Sequence, residues 1–156
     1  MSAFFDKYNM AASGMSVQRL RMNVISSNLA NVNTTKTANG EGPYKRRDVV
    51  FQTLDFNQEV NKKVYGVVDN ENDTNNKLNI GVKVSELYVD EKDFIYKYEP
   101  NHPQANAKGY VAYPNINPVV ETANMIEAQR AYEANMNVYN NMKTIDLQLI
   151  DILKKQ

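Results

Sequence analysis

The chain has 156 residues, enough for one ordinary domain or for a long helical part with a small lobe, and two compact domains would be a tight fit. Its 18 Lys and Arg balance 18 Asp and Glu, so no global field draws it to nucleic acid or to an anionic membrane surface. It has no Cys, which excludes disulfides, thiolate metal sites and a Cys nucleophile, and is compatible with a reducing or an oxidising compartment.

Residues 1–20 lack the basic start, uninterrupted apolar core and small-residue cleavage site of a secretory signal, and no run approaches the roughly 20 apolar residues of a membrane span. The expectation is a soluble chain that uses a non-standard route if it leaves the cytoplasm. The first element is a helix from just after Ser2, a good N-cap, to about Ala30. Phe4, Tyr8, Ala11, Met15, Gln18, Met22, Ile25, Leu29 and Val32 recur in steps of four and three, a coiled-coil seam with one polar position at Gln18. Gly14 inside it marks a tolerated irregularity, a small kink or a close approach of another helix. Asn31 to Gly42, rich in Asn, Thr and Gly, ends the helix at a boundary or hinge.

From Tyr44 the period shortens toward two, weakly at Val49–Phe51 and Val64–Val68, then clearly at Leu78, Ile80, Val82 and Val84. A slip before Leu87 and Val89 is what a β-bulge produces, and Phe94, Tyr96 and Tyr98 alternate beyond a polar turn at Asp90–Asp93. Residues 78–98 therefore read as a hairpin, Tyr110–Tyr113 as a short strand, and the whole as an antiparallel lobe of four or five strands. Asn is the most frequent residue and clusters at 70–79 and 101–117, marking loops. Asn117 followed by Pro118 starts a second helix that meets no Gly or Pro before Lys154 and Lys155. Its apolar stripe runs Ala128, Ala131, Asn135, Val138, Met142, Ile145, Leu149, Ile152, with Met125, Tyr132, Tyr139 and Leu153 alongside. That face is wider than a two-helix seam needs.

Chemistry of turnover is missing. His102, the single histidine, stands between Asn101 and Pro103, so no His pair for a metal and no Ser–His–Asp arrangement can be assembled, and it reads as a loop side chain fixing local structure. Asp69, Glu71 and Asp73 alternate as in a calcium loop, but Thr74 and Ile80 stand where Gly and Glu are needed. Asn33-Thr34-Thr35 and Asn72-Asp73-Thr74 match the glycosylation acceptor pattern, which is too common to carry weight. Lys45, Arg46 and Arg47 form the one compact basic cluster, which suits a solvated strand edge or a subunit salt bridge better than nucleic acid. No catalytic residue, metal site or cofactor is expected.

The stretch Asn23-Val24-Ile25-Ser26-Ser27-Asn28-Leu29-Ala30-Asn31-Val32-Asn33-Thr34-Thr35 resembles the N-terminal signature of bacterial flagellar rod and hook proteins, with Ser27, Asn28, Leu29, Ala30, Asn31 and Thr34 as its motif residues. Most of that family closes the motif with Gly-Tyr; here Lys36-Thr37 takes its place and Gly42-Pro43-Tyr44-Lys45-Arg46-Arg47 follows, a variant similar to the proximal-rod branch. The resemblance resumes at Tyr98-Glu99-Pro100-Asn101-His102-Pro103, at Ala105-Asn106, Gly109-Tyr110-Val111 and Tyr113–Asn117, and in the helix segment Met125–Asn135. The resemblance does not extend to residues 55–79.

The resemblance implies a structural, non-enzymatic subunit of the basal-body rod, exported uncleaved through the flagellar type III apparatus and crossing the periplasm. Its partners would be other rod subunits, further copies of itself, and the basal-body ring or its adaptor protein, with no nucleic acid and no small-molecule substrate. The expected fold is α+β. Residues 1–35 and 117–156 form a helical core paired as a coiled coil, and 36–116 an inserted β lobe. The expected assembly interface is Met15, Met22, Ile25, Leu29, Met125, Ala128, Tyr132, Val138, Met142, Ile145 and Leu149. Asn28, Asn31 and Asn33 are expected to fix the following loop by capping and turn hydrogen bonds, against the alternative of a merely solubilising loop. A free-standing coiled-coil adaptor or homodimer would use the same seams.

Overall fold

The structure is a computed structural model and describes residues 2–38, 42–55 and 80–154. Among the described residues, two helices, α1 (Ser2–Ala30) and α2 (Pro118–Lys154), flank in sequence four strands, β1 (Arg47–Asp55), β2 (Ile80–Val89), β3 (Ile95–Tyr98) and β4 (Tyr110–Tyr113). This is the α+β class that the change of period implies. The expected strand at 64–68, the start of the next at Leu78, the calcium-like run at 69–73 and the acceptor pattern at Asn72 lie outside the described residues, as does the side chain of Phe4.

Local chemistry explains the helix boundaries. Asn117 caps α2 with its side-chain oxygen, which accepts from the backbone N–H of Val119 at 3.0 Å and of Val120 at 3.4 Å, while Pro118 needs no donor there. At the end of α1, Asn31 donates from Nδ2 to the Ser27 carbonyl at 2.9 Å and accepts from the Thr34 hydroxyl at 3.1 Å. Those bonds hold the last turn and the first loop residues together. Among the described residues no helix is long and apolar enough to cross a membrane.

The expected hairpin across 78–98 is corrected by the structure. β2 pairs with β1, and β3 pairs antiparallel with β4, placing Ile95 opposite Tyr113 and Tyr98 opposite Tyr110. The described strands form two two-stranded sheets instead of one four- or five-stranded lobe. The physical reason lies at Asp90, whose backbone N–H is taken by the Arg46 carbonyl at 2.8 Å and whose carboxylate is taken by the Lys92 N–H at 3.1 Å, turning the chain away from β2. β2 itself runs unbroken through the slip at Ser85 and Glu86.

By contacts the chain divides into two compact units, Met1–Arg19 with Phe51–Ser85 and Arg130–Gln156, and Leu20–Val50 with Glu86–Gln129. In the first, Tyr8 meets Tyr139 edge-on at 5.2 Å, and Gly14 lies against Asn135, so the helices run antiparallel there. A Cβ on Gly14 would stand 3.0 Å from the Asn135 Nδ2, which identifies the glycine as a close approach. Ala11 and Val17 are buried beside it, and the Ser13 hydroxyl accepts the Val82 N–H at 3.2 Å.

In the second unit Arg21 pairs with Glu127 at 3.8 Å and Asn28 with Glu121 at 3.0 Å, again in opposed order along the two helices. Val24, Ile25, Tyr44, Val111, Ile116 and Ala128 are its buried apolar residues. In both units the α1 residues that touch α2 include Gly14, Arg21 and Asn28, one position away from Met15, Met22 and Leu29, which remain half-buried.

The β3–β4 pair sends Val111 into the core and keeps Tyr98 and Tyr110 outside, their rings edge-to-face at 5.3 Å. The loop between them is closed by its own side chains. Asn106 accepts the N–H groups of Lys108 and Tyr110, and the His102 Nδ1 accepts that of Gln104 at 3.2 Å, the local role read for that histidine. Gly109 holds φ +79°, and a Cβ there would meet the Tyr98 ring at 2.8 Å. Gly109→Ala is therefore expected to cost about 1–2 kcal/mol from the left-handed backbone alone, with the ring clash added, read as a lower urea midpoint.

Candidate functional site

The family-motif residues converge on one buried carboxamide. Asn28 is 0 % exposed, on the last turn of α1. Its Nδ2 donates to the Arg47 carbonyl at 2.7 Å and to Glu121 Oε2 at 3.0 Å. Its Oδ1 accepts from the Arg47 N–H at 3.0 Å and from the Tyr44 hydroxyl at 3.1 Å. All the hydrogen-bonding capacity of the amide is used, two donors and two lone pairs. Asn28 thus recognises the backbone of Arg47 as a strand neighbour would, while bonding to α2 on the other side.

Glu121, 1 % exposed on the first turn of α2, receives a second bond from Arg46 Nε at 2.8 Å, and Arg46 also reaches Asp48 at 3.0 Å. The helix N-terminus adds a favourable field for the carboxylate. Desolvation works against the Arg46 charge, but its bonds to Glu121 and Asp48 prevail and raise its pKa above the ordinary value. Ser27 lies 3.3 Å from the Tyr44 hydroxyl, and the Arg47 guanidinium lies 5.6 Å from the centroid of the Tyr44 ring. Two residues of the basic cluster are thereby engaged, Arg46 inside the clamp and Arg47 along Tyr44, while Lys45 is exposed.

A second polar cluster belongs to the other unit. Asp146, 7 % exposed on α2, accepts from Lys7 Nζ at 2.6 Å and from the Tyr8 hydroxyl. Those two bonds hold the Asp146 carboxyl below the usual carboxylate range, and the bond to Asp146, with desolvation second, pushes the Tyr8 phenol up to about 12.

The expected interface residues divide by exposure. Ile25 and Ala128 are buried within their own unit, while Met15, Met22, Leu29, Met125, Tyr132 and Met142 are half-buried. Val138, Ile145 and Leu149 are exposed at 45, 55 and 53 %. Glu121, Lys7 and Asp146 were not singled out from the sequence. Asp146 had a signal: it occupies the one heptad position missing between Tyr139 and Leu153 in the side stripe of α2. Glu121 had none beyond its place four residues after the cap. Among the described residues no group of three or more His, Cys, Asp or Glu is placed to hold a metal ion.

Comparison with known proteins places this arrangement. Residues 9–36 match the family model for flagella basal body rod proteins, and 107–152 the model for the C-terminal region of flagellar basal body rod FlgEFG proteins. The chain is 39 % identical to the flagellar basal-body rod protein FlgC of Bacillus subtilis over 155 residues, covering 96 % of this chain and 98 % of the relative. The chain belongs to the FlgC family of flagellar basal-body rod proteins. FlgC of Borreliella burgdorferi is 38 % identical over 96 % of this chain and 97 % of its own length, and that of Escherichia coli O6:H1 is 32 % identical over 96 and 98 %. FlgC proteins are structural rod subunits, so this chain is a component of the basal body that assembles with other rod components and is not an enzyme. Within this FlgC-family chain, the N-terminal match ends in the clamp made by Asn28, Asn31 and Thr34.

Two outcomes follow. Asn28→Ala takes one partner each from the Tyr44 hydroxyl and Glu121 and two from the Arg47 backbone in a buried site, and should cost on the order of 3 kcal/mol in urea unfolding. Because the folded pKa of Asp146 is lowered, its contribution is present above about pH 4 and is lost as pH falls through that lowered value. The thermal midpoint should therefore drop more on acidification than in Asp146→Asn, which does not titrate. For Tyr8 the sign is opposite, with stability present below about pH 10 and lost as pH rises through about 12.

Proposed function

We propose that this rod subunit assembles through its helices: residues 1–35 and 117–156 form an antiparallel coiled-coil core, 36–116 an outer β lobe, and the apolar positions unused inside the chain bind helices of adjacent subunits. The observation that carries this reading is the exposure of Val138, Ile145, Leu149 and Ile152, the last at 60 %, on the stripe of α2 read from the sequence. Met15, Met22, Leu29, Met125, Tyr132 and Met142 are half-buried in the single chain, and flexible Met suits neighbours that are not identical. Ile25 and Ala128 complete the inner seam.

Each fully buried Leu or Ile returns roughly 1.5 to 3 kcal/mol, so three or four shared side chains per neighbour hold a subunit in a helical array. The contact is head to tail, because a growing rod repeats an operation that does not close. Such an array transmits torque and crosses the periplasm, contacts the basal-body ring or its adaptor protein at its base, and receives its subunits through the flagellar type III export apparatus without signal cleavage.

Ile145→Asp and Leu149→Asp test the reading. Both positions are exposed in the single chain, so the far-ultraviolet helix signal should persist while rod assembly and soft-agar motility are lost. Full motility in both would refute assembly through this face.

A further inference from the structure

The α2 stripe in the first unit repeats in sevens, with Tyr132, Tyr139 and Leu153 around Asp146. A heptad repeat can slide by seven residues and present similar side chains to the same neighbour, so apolar packing alone leaves several registers close in energy. The helix also exposes Leu147, Leu149, Ile150 and Ile152, which offers little of its own to oppose sliding. The polar trio described above breaks this degeneracy.

We infer that Asp146, held by Lys7 and Tyr8, is the register pin of the α1–α2 contact in the first unit, selecting one alignment there and making α1 of the same chain the preferred partner. Sliding by seven residues places Tyr139 or Leu153 where Asp146 stands, takes the carboxylate away from both donors and leaves the Lys7 ammonium beside an aromatic or aliphatic side chain. A carboxylate left in a helix interface without its donors costs more than any apolar contact there returns. A partner helix lacking an equivalent Lys and Tyr pays the same penalty, and two copies of α2 paired at this level would bring two Asp146 carboxylates together. The inference is independent of rod assembly, since it concerns pairing within one chain.

The chain has no Cys, so engineered pairs report register without background. Gly14→Cys with Asn135→Cys reads the native alignment, because the Cβ position of residue 14 lies 3.1 Å from the Asn135 carboxamide carbon. Gly14→Cys with Met142→Cys, in an Asn135→Ala background that leaves room for the new side chain, reads a slip of seven; in the native register that site is about 10 Å further along the helix, beyond disulfide reach. Each pair is oxidised in dilute full-length protein, in the parent and in the combined Lys7→Met, Tyr8→Phe, Asp146→Leu variant, with helix content followed by circular dichroism. The parent should close the native pair and less than about a tenth as much of the shifted pair, and the apolar variant should keep its helix content and raise the shifted yield at least about fivefold. Asp146→Asn, whose Oδ1 can accept from Lys7 while its Nδ2 donates to the Tyr8 hydroxyl, should behave as the parent. An unchanged ratio in the apolar variant would overturn the inference, and so would loss of its helix signal, which would make the trio a requirement for folding instead of a selector of register.

Discussion

The four hydrogen bonds of Asn28 are the constraint on which its unit depends. A carboxamide at the end of a helix can cap that helix, but this one is turned away to meet the Arg47 backbone, the Tyr44 hydroxyl and the Glu121 carboxylate at once. Each partner comes from a different part of the chain, so one side chain ties the loop after α1, the start of β1 and the first turn of α2. Because the site is dry, every bond is worth more than it would be in water, and every missing partner costs more. Arg46 completes the arrangement by balancing the carboxylate that Asn28 alone would leave charged and half-satisfied.

The same logic recurs where Lys7 and Tyr8 meet Asp146. In both units the helix contact includes small or polar residues on α1, Gly14 and Lys7 in one, Arg21 and Asn28 in the other. Apolar side chains supply non-directional attraction, which tolerates many alignments, whereas a buried donor or acceptor tolerates very few. The chain uses its polar residues to choose its internal pairing and leaves much of its apolar stripe half-covered or bare. For a rod component this division is economical in chemical terms, since contacts to neighbours can be made by side chains that the internal fold does not require.

This arrangement also gives the rod-family signature a physical meaning. Ser27, Asn28, Asn31 and Thr34 hold one another, Tyr44 and the Arg47 backbone. The motif lies within the fold as a clamp and turn, while the exposed surface of α2 carries Val138, Ile145 and Leu149. Of the three asparagines expected to hold this turn, Asn31 does so, Asn28 reaches much further than a cap, and the side chain of Asn33 is exposed.

Both long helices, their ends at Ala30 and Pro118, the short strand at Tyr110–Tyr113 and the α+β class were legible in the sequence, because period, caps and Gly or Pro punctuation are local properties. Strand partnership was not: β2 and β3 are joined by a polar turn that looks like a hairpin, whereas β2 pairs with β1, and the hydrogen bond from Asp90 to Arg46, across more than forty residues of sequence, continues that pairing. The face of α1 that meets α2 was read in part, at Tyr8, while its contacts at Gly14, Arg21 and Asn28 were not, for a related reason. Gly14, Arg21 and Asn28 carry no hydrophobic signal, and a glycine contact or a buried amide is recognised only by what stands opposite it. The sequence by itself determined where the backbone could be regular and which stripes were apolar, since those depend on neighbours three or four residues away. The tertiary structure decided which polar groups were buried together, because the cost of burying Glu121 or Asp146 is met by partners that lie far along the chain.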